Sequence, residues 1–428
     1  MRRTVSGTTV DVSLQVLRVG LLGFGGVGQA VASVATNASG RLADAGVAIT
    51  CVGALVRDAY KPRVAPQIPL WTDPDEFPFA DCDVIVEVLG GVEPARTLVE
   101  RALRQGIPVV TAKKSLIAAH GLALQVVADA HNTSLLFEAA VMAGVPCVNT
   151  LARRPLASGA GAFAGILNGT SHYILTRLAA GVPIDTAVAE AVELGYAEPS
   201  SDADVSGRDA AEKLTILLHL AGHTDVVTSR LPTRSIEDLE PWHADLARRL
   251  SGVIKPVALA FTPAAGSPTG AWVGPAFVPA AHPFAALDGV ANVLCVGSGG
   301  EAVTFSGPGA GREVTAATIL DDLVEISSTT PRRTRRPAGS PAQVALGHPP
   351  AGAWFIALDH VASSIGDLAE FLAAHHLPAV CAVAQGDRCA VITATASVAT
   401  VEQAVDALTS TGVRVTWLPV LPVAVSRG

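Results

Sequence analysis

Between Val16 and about Ala140, short apolar runs alternate with stretches of helical period, and this alternation constrains the fold more than any other feature. VLRVGLLG is followed by a helix from about Gly26, then by VAITCVGALV, by DVIVEVLG, by a helix from Glu93, by IPVVTA, and by a helix from about Lys114. The pattern predicts βαβ units around a doubly wound parallel sheet, an α/β fold of Rossmann type. Gly23, Gly25 and Gly28 spell G-x-G-x-x-G between the first strand and the first helix. At such a junction the backbone can approach a pyrophosphate and place it on the helix N-terminus. At the end of the second strand, Arg57-Asp58 stands where an acidic residue would hold the ribose of NAD, with Lys61 and Arg63 following. A cation there suits the 2′-phosphate of NADP, while Asp58 keeps NAD open.

From Leu151 to about Phe305 the pattern changes to a mixed α+β region, with apolar alternation in GAFAGILNG, helical stretches at Ile184–Leu194 and Gly207–Gly222, and strand-like pieces such as VLCVG. Residues 330–352 are rich in Pro, Gly and Arg without periodicity and mark a linker. Beyond it AWFIALDH, a helix from Ile365, AVCAVAQ, RCAVITATA, a helix from Val401 and VRVTWLPV spell βαββαβ, a ferredoxin-like order. The 428 residues have room for about three domains. The boundaries expected are 1–150 for the nucleotide domain, with a return at about 306–330, then 151–305 for catalysis, 331–351 for the linker and 352–428 for the last domain.

A net charge of -8 offers nucleic acid no electrostatic footprint, and the one basic cluster, Arg332 to Arg336, lies among prolines. The longest uncharged stretch, Val257–Ala281, is broken by Pro263, Pro268, Pro275 and Pro279, which a membrane-spanning helix would not tolerate. Arg2 and Arg3 are followed by no apolar h-region, and six cysteines without a CxxC pair read as buried thiols, so a cytoplasmic protein without disulfides or zinc is expected. Only five of the 30 basic residues are lysine: Lys61, Lys113, Lys114, Lys213 and Lys255. A lysine retained against such a bias toward arginine is a candidate for proton transfer, which arginine cannot perform.

Asp209 and Lys213 lie four residues apart, share a helix face that continues through Ile216, Leu217 and Leu220, and follow the carboxylates Glu198, Asp202 and Asp204. That places an ammonium at the edge of a buried stripe with a carboxylate beside it. Ser206 reads as the helix N-cap, with Asp209 closing a capping-box-like start. An ordinary helix salt bridge is the plain alternative for the pair.

These residues sit in a series, GLLGFGGVGQAV, VVTAKKSLIA, FEAAVMAGVP, GILNGTSHYILTRL, GYAEPSSDADVSGRDAAEKLTIL, HPFAALDGVANVL and SGPGAGREVTAATILDDL, that resembles the homoserine dehydrogenase family over about Leu17 to Ile326. The last segment is similar to the ACT regulatory domain many members carry. The resemblance implies NAD(P)-linked interconversion of L-aspartate 4-semialdehyde and L-homoserine, on the pathway to threonine and methionine, by a homodimer acting on a small-molecule substrate without nucleic acid or membrane. It implies Lys213 as proton donor with Asp209 its partner, and Lys114 as a second cation near nicotinamide and substrate. Gly169, Thr170, Tyr196, Glu198 and Asp204 would form the substrate pocket. Gly23, Phe24, Gly25, Val27, Gly28, Arg57, Lys114, Gly195 and Gly311 would meet the cofactor. Glu138 with backbone oxygens of Val141, Ala143 and Val145 would hold a monovalent cation, and oxygen-only ligands suit sodium.

The chain departs from the family pattern at Lys113, where an asparagine is usual, at Ser200-Ser201 in place of Asp-Pro, and at Met142-Ala143 after Glu138. Ala362-Ser363-Ser364 replaces the Pro-Gly turn used by ACT domains for amino-acid binding, so threonine feedback is not expected. The Ser200-Ser201 change leaves room for a paralogue reducing another amino-acid semialdehyde. A catalytically silent sensor is the reading of a different class, and the presence of Lys213, Asp209, Lys114 and Glu198 together argues against it.

Overall fold

The computed structural model describes residues 2–5, 8–11, 14–64, 67–153, 162–197, 201–261, 270–297, 302–327, 351–360 and 365–422. They form two compact units, one drawn from Met1–Pro155, Ile216–Thr224 and Pro308–Ala338, the other from Leu156–Thr215, Asp225–Gly307 and Gly339–Gly428. Glu198, Ser200, most of the linker and the Ala362-Ser363-Ser364 segment lie outside the described residues.

In the first unit β1 (Gln15–Leu22), α1 (Gly26–Asn37), β2 (Val47–Leu55), β3 (Leu70–Trp71), β4 (Val84–Glu87), α2 (Ala95–Arg104), β5 (Val109–Thr111), α3 (Lys114–Ala130) and β6 (Leu135–Leu136) follow one another. The six strands form one parallel sheet in the order β3-β2-β1-β4-β5-β6. The winding reverses between β1 and β4, so the carboxyl ends of these two neighbours open a crevice, the ligand position of such sheets. All four residues of β4 are buried, as a strand covered on both faces requires. α2 begins two residues later than its spacing suggests, because Pro94 takes the N-cap position and Glu93 reaches forward to the Thr97 hydroxyl at 3.0 Å.

The chain continues through β7 (Ala162–Ile166), α4 (Gly169–Ala179), α5 (Ile184–Glu193), α6 (Asp202–Val205), α7 (Arg208–Leu220), α8 (Pro241–Arg249), β8 (Gly252–Phe261), β9 (Gly270–Pro279), β10 (Asn292–Val296) and β11 (Val303–Gly307). Five of these strands make an antiparallel sheet in the order β9-β8-β7-β10-β11. The uncharged stretch that reads as broken by prolines is largely the β8–β9 pair. Pro256 stands opposite Pro275 in its register, and β7 pairs with β8 only over Ala258–Phe261, so Pro256 has no second neighbour demanding its missing N–H. α9 (Arg312–Ser327) then returns to the first unit, where Ala316, Ile319, Leu320 and Leu323 join Leu21, Val31 and Val86 in one core.

The last elements are β12 (Trp354–Asp359), α10 (Ile365–Ala374), β13 (Ala379–Gln385), β14 (Arg388–Thr393), α11 (Val398–Thr409) and β15 (Arg414–Pro419), an antiparallel βαββαβ sheet in the order β13-β14-β12-β15. α11 starts three residues before the expected Val401 because Ser397 caps it, accepting from the Thr400 N–H. Alternate residues of β12 serve two cores. Trp354, Ile356 and Leu358 pack with Leu368, Leu372 and Val401, whereas Phe355 and Ala357 face Ile174, Leu246 and Phe277 within the second unit. The rings of Phe277 and Phe355 stack at 5.5 Å.

Among the described residues no two of the six cysteines are joined in a disulfide. Cys82, Cys147 and Cys389 are buried, but Cys381 is exposed on β13, against the expectation that apolar neighbours imply burial. Among the described residues no helix is long and apolar enough to cross a membrane.

His243 on α8 ties the last sheet to the rest of its unit. Its Nδ1 accepts from the Glu240 N–H at 2.9 Å, its Nε2 meets the Thr416 hydroxyl of β15 at 2.9 Å, and burial pulls its pKa down to about 4. An unfolded chain titrates this imidazole near 6.5, so it takes up the proton first. The stability contributed by the neutral ring is therefore complete above pH 6.5 and is lost as pH falls toward 4, by about 3 kcal/mol. Urea unfolding at stepped pH should show this loss, and His243→Gln should flatten it.

Candidate active site

The crevice at the end of β1 is shaped by glycines with different duties. Gly23 turns with φ +103, and a Cβ there would lie 2.7 Å from Val88 O. A Cβ on Gly28 would lie 2.4 Å from Gly23 O, so that glycine lets α1 pack onto the turn. Gly25 has no atom within 4 Å of the Cβ position. Its open side exposes the first turn of α1, which has no side-chain cap, to a cleft of about 810 Å³. Uncapped helix N–H groups beside open space are suited to an anion. Phe24 is buried in the core, so it can meet a ligand in the cleft only through backbone; Val27 is partly buried against the same core and does not line the cleft.

Arg57, Asp58, Lys61, Arg63 and Arg312 line the same cleft. They are not equivalent. Arg63 is committed to backbone, donating to Phe24 O at 3.2 Å, Asp58 O at 2.7 Å and Lys61 O at 2.9 Å, and so staples the loop after β2 to the glycine turn. Asp58 accepts from the Tyr60 N–H at 2.8 Å. Arg57 and Lys61 are exposed. Arg312, which the sequence reading passed over, opens α9 and lies over the first turn of α1, its Nε 2.9 Å from the Cβ position of Gly26. Its place directly after Gly311, which turns with φ +127, was the available signal.

Beside this cleft the ends of β4 and β5 are joined through Glu87, wholly buried and also missed. Its carboxylate accepts from the Leu89 N–H at 2.7 Å and the Thr111 hydroxyl at 2.6 Å, and Thr111 accepts from the Lys113 N–H at 2.9 Å. Burial raises its pKa, while these bonds pull it back. The signal was a glutamate closing the otherwise apolar strand VIVE. Lys113 is the N-cap of α3 and Lys114 its first residue, so this junction sets where Lys114 begins.

Glu138 is 4% exposed and accepts from the Val148 N–H at 2.8 Å and the Asn149 N–H at 2.7 Å. Asp322, on α9, accepts from the Glu138 N–H at 3.1 Å and from Asn149 Nδ2 at 3.1 Å. Burial raises both carboxyls, and Glu138 beside it helps push Asp322 up to about 8. The loop carrying Val141, Ala143 and Val145 is buried, turns at Gly144 with φ +78, and is held by the Ala143 N–H on Gly309 O at 3.2 Å.

In the second unit the first turns of α4 and α7 meet. Lys213 and Asp209 are 8% and 4% exposed, with Nζ 3.0 Å from Oδ2, and Lys213 also donates to Leu167 O at 2.7 Å. The member missing from the sequence reading is Asn168, the cap of α4. Its Oδ1 accepts from the Ser171 N–H at 2.7 Å, while its Nδ2 donates to Asp204 at 2.6 Å and Asp209 at 2.8 Å. It stood in plain view in GILNGT, but its carboxylate partners lie 36 and 41 residues further along the chain.

Ser206 does not cap α7. It closes α6, and Gly207, with φ +82, separates the two helices, leaving Asp209 to serve Asn168 and Lys213. The Thr170 hydroxyl donates to Tyr196 O at 2.7 Å, and the half-exposed Tyr196 ring meets Tyr173 edge-on at 5.2 Å. Gly195 turns with φ +74 into open space. Gly169 lies against Val290 and against Asn292 at the start of β10, and Asn292 is buried with both amide atoms lacking a hydrogen-bond partner among the described residues.

A family model described as "Homoserine dehydrogenase, NAD binding domain" matches residues 23–138, and one described as "Homoserine dehydrogenase" matches residues 146–324. The chain is 37% identical over 333 residues to a protein of Corynebacterium glutamicum named homoserine dehydrogenase, covering 75% of this chain and 74% of that one. It is 34% identical over 321 residues to the protein of the same name from Bacillus subtilis, covering 73% of each. Among solved structures it is similar to a homoserine dehydrogenase from Thiobacillus denitrificans, with a TM-score of 0.84 at 30% identity over 96% of this chain and 99% of that one.

The glycine geometry separates packing from binding. Gly28→Ala should lower stability by about 1–3 kcal/mol in a denaturant titration, because the added carbon meets Gly23 O. Gly25→Ala, at a φ of −81 that alanine adopts freely, should unfold like wild type yet bind dinucleotide more weakly in a fluorescence titration.

Proposed function

The chain belongs to the homoserine dehydrogenase family, and from that premise we propose how its residues divide the work of interconverting L-homoserine and L-aspartate 4-semialdehyde, on the route to threonine and methionine. The observation that carries the assignment is the buried Lys213–Asp209 pair, joined through Asn168 to Asp204. An ammonium has three N–H bonds. Asp209 and Leu167 O take two of Lys213's, and the third serves the substrate oxygen. In reduction Lys213 Nζ gives its proton to the aldehyde oxygen, and in oxidation it takes the hydroxyl proton. Lys114 supplies a second positive charge that stabilises the alkoxide. Asp204, with Glu198, receives the substrate ammonium, and Gly169, Thr170 and Tyr196 form the remainder of that pocket.

Residues 1–150 with the return at 306–330 act as the nucleotide domain, 151–305 as the catalytic and dimer-forming one, and 352–428 as an ACT-like module reached through the 331–351 linker. The nicotinamide cofactor, when bound, supplies or accepts the hydride. The cleft beside Gly25 fits it, with the α1 N-terminus and Arg312 for the pyrophosphate; the family pattern, rather than the cleft lining, is what supports Gly195 and Gly311 as further cofactor contacts. NADP is preferred over NAD: Arg57 and Lys61 are exposed in the cleft, whereas the Asp58 carboxylate is engaged by Tyr60. Glu138 with the carbonyl oxygens of Val141, Ala143 and Val145 holds a monovalent cation, sodium by its all-oxygen donor set. A buried carboxylate whose oxygens meet only backbone N–H donors among the bonds described fits such an ion. The active form is a homodimer, for which light scattering should return twice the chain mass.

Purified protein given homoserine and NADP should produce reduced nicotinamide at alkaline pH; folded protein that turns over with neither NADP nor NAD refutes the reading. Lys213→Ala should lower kcat by about 10²- to 10⁴-fold while the dissociation constant for NADP stays within about twofold. Near wild-type turnover would remove Lys213 from proton transfer. Arg57→Ala should cut kcat/KM for NADP about tenfold or more and leave NAD nearly untouched. Equal losses would deny it the 2′-phosphate.

A further inference from the structure

Lys255 is the lysine that the proposed chemistry leaves unused near the substrate pocket, and it is 4% exposed within β8. Its ammonium donates to Leu287 O, to Asp288 Oδ1 at 3.3 Å and to His172 Nε2 at 3.3 Å. His172, on the first turn of α4, is wholly buried, with Nδ1 3.0 Å from Ala291 O and Nε2 3.1 Å from Leu287 O. A neutral imidazole carries one N–H and one lone pair. A proton on Nδ1 satisfies Ala291 O and turns the Nε2 lone pair toward the ammonium, which also satisfies Leu287 O. A proton on Nε2 instead sets a ring lone pair against Ala291 O and an N–H against the ammonium. Two protons place an imidazolium beside that ammonium. Lys255 and Asp288 are the charged groups facing the ring. Only the Nδ1–H form gives every donor and acceptor a partner, because the Lys255 ammonium donates to both of the neighbouring acceptors, Nε2 and Leu287 O.

The segment so held, Leu287–Ala291, packs directly on the start of α4. Val290 O lies 2.7 Å from the Cβ position of Gly169, and Asn292 Oδ1 lies 3.2 Å from it. One residue before Gly169 stands Asn168, which orients Asp204 and Asp209.

We propose that Lys255 and His172 are positioning residues for the substrate pocket: the ammonium fixes the imidazole as its Nδ1–H tautomer, and the pair pins the 287–291 segment against Gly169 and the first turn of α4. The inference rests on the reading of Gly169, Thr170 and Asp204 as substrate contacts. Burial and the neighbouring ammonium both oppose protonation of the ring, so the tautomer persists below the ordinary histidine range.

Two readouts test it on the full chain. Long-range proton–nitrogen correlation of the imidazoles at pH 7, with the His172 signal assigned by its loss in His172→Leu, should show a neutral ring protonated at Nδ1. In Lys255→Met the Nε2 should gain a proton. In steady-state kinetics Lys255→Met should raise the homoserine KM about tenfold while the NADP KM stays unchanged, and Lys255→Arg should recover most of the loss. A wild-type ring protonated at Nε2, or an imidazolium at pH 7, overturns the clamp, and an unchanged homoserine KM in Lys255→Met overturns its positioning role. If Lys255→Met does not fold, His172→Leu carries the same kinetic arm, since leucine suits its buried surroundings. The imidazole readout needs no turnover. Folded protein that fails to oxidise homoserine would therefore sink the functional reading and leave the clamp standing, and an Nε2–H ring in an active enzyme would do the reverse.

Discussion

One side-chain amide holds two carboxylates of the second unit in place. Asn168 spends its carbonyl on the first turn of α4 and its NH₂ on two carboxylates from separate helices. Carboxylates at such close quarters repel unless a donor stands between them, and an amide offers two donors without adding charge. The direction of Lys213 follows, because Asp209 can accept from the ammonium only while its own position is fixed. An aspartate at 168 would cap the helix equally well, yet it would add a third negative charge and provide no N–H. The cap position therefore demands asparagine for a reason that helix propensity does not contain.

The cofactor side rests on a different economy. There the backbone of the glycine turn and of the uncapped first turn of α1 faces the cleft, and side chains supply the shape. Gly23 and Gly28 permit contacts that any Cβ would block, and Arg63 ties the loop after β2 to the turn with donors that an ammonium could not spread so widely. Arg57 and Lys61 are left exposed at the cleft because Arg63 does the holding. Three cations that look alike in sequence thus divide into one structural member and two available ones.

How much of this was legible depended on whether the signal was local. The parallel sheet showed in its apolar runs, and the Asp209–Lys213 pair showed in its spacing, since both follow from short-range periodicity. The β8–β9 pair was obscured because prolines such as Pro275 and Pro279 read as breakers. Their strand lies at the sheet edge, and Pro256 opposite Pro275 is tolerated because a third strand stops pairing before it. Glu87 and Asn168 were overlooked because their partners, Thr111 and Asp209, lie far along the chain. Arg312 escaped for the same reason, as its contact with α1 exists only after α9 returns to the first unit.

The alternation of β12 has a consequence for how such a chain can evolve. Because Phe355 and Ala357 complete a core that also contains Phe277 and Leu246, the terminal sheet is a wall of the second unit rather than an appendage to it. A lineage could let the loops of this module drift, but it could not delete the module without laying bare an apolar face. Its persistence in a sequence is therefore evidence of shared packing and says nothing on its own about regulation.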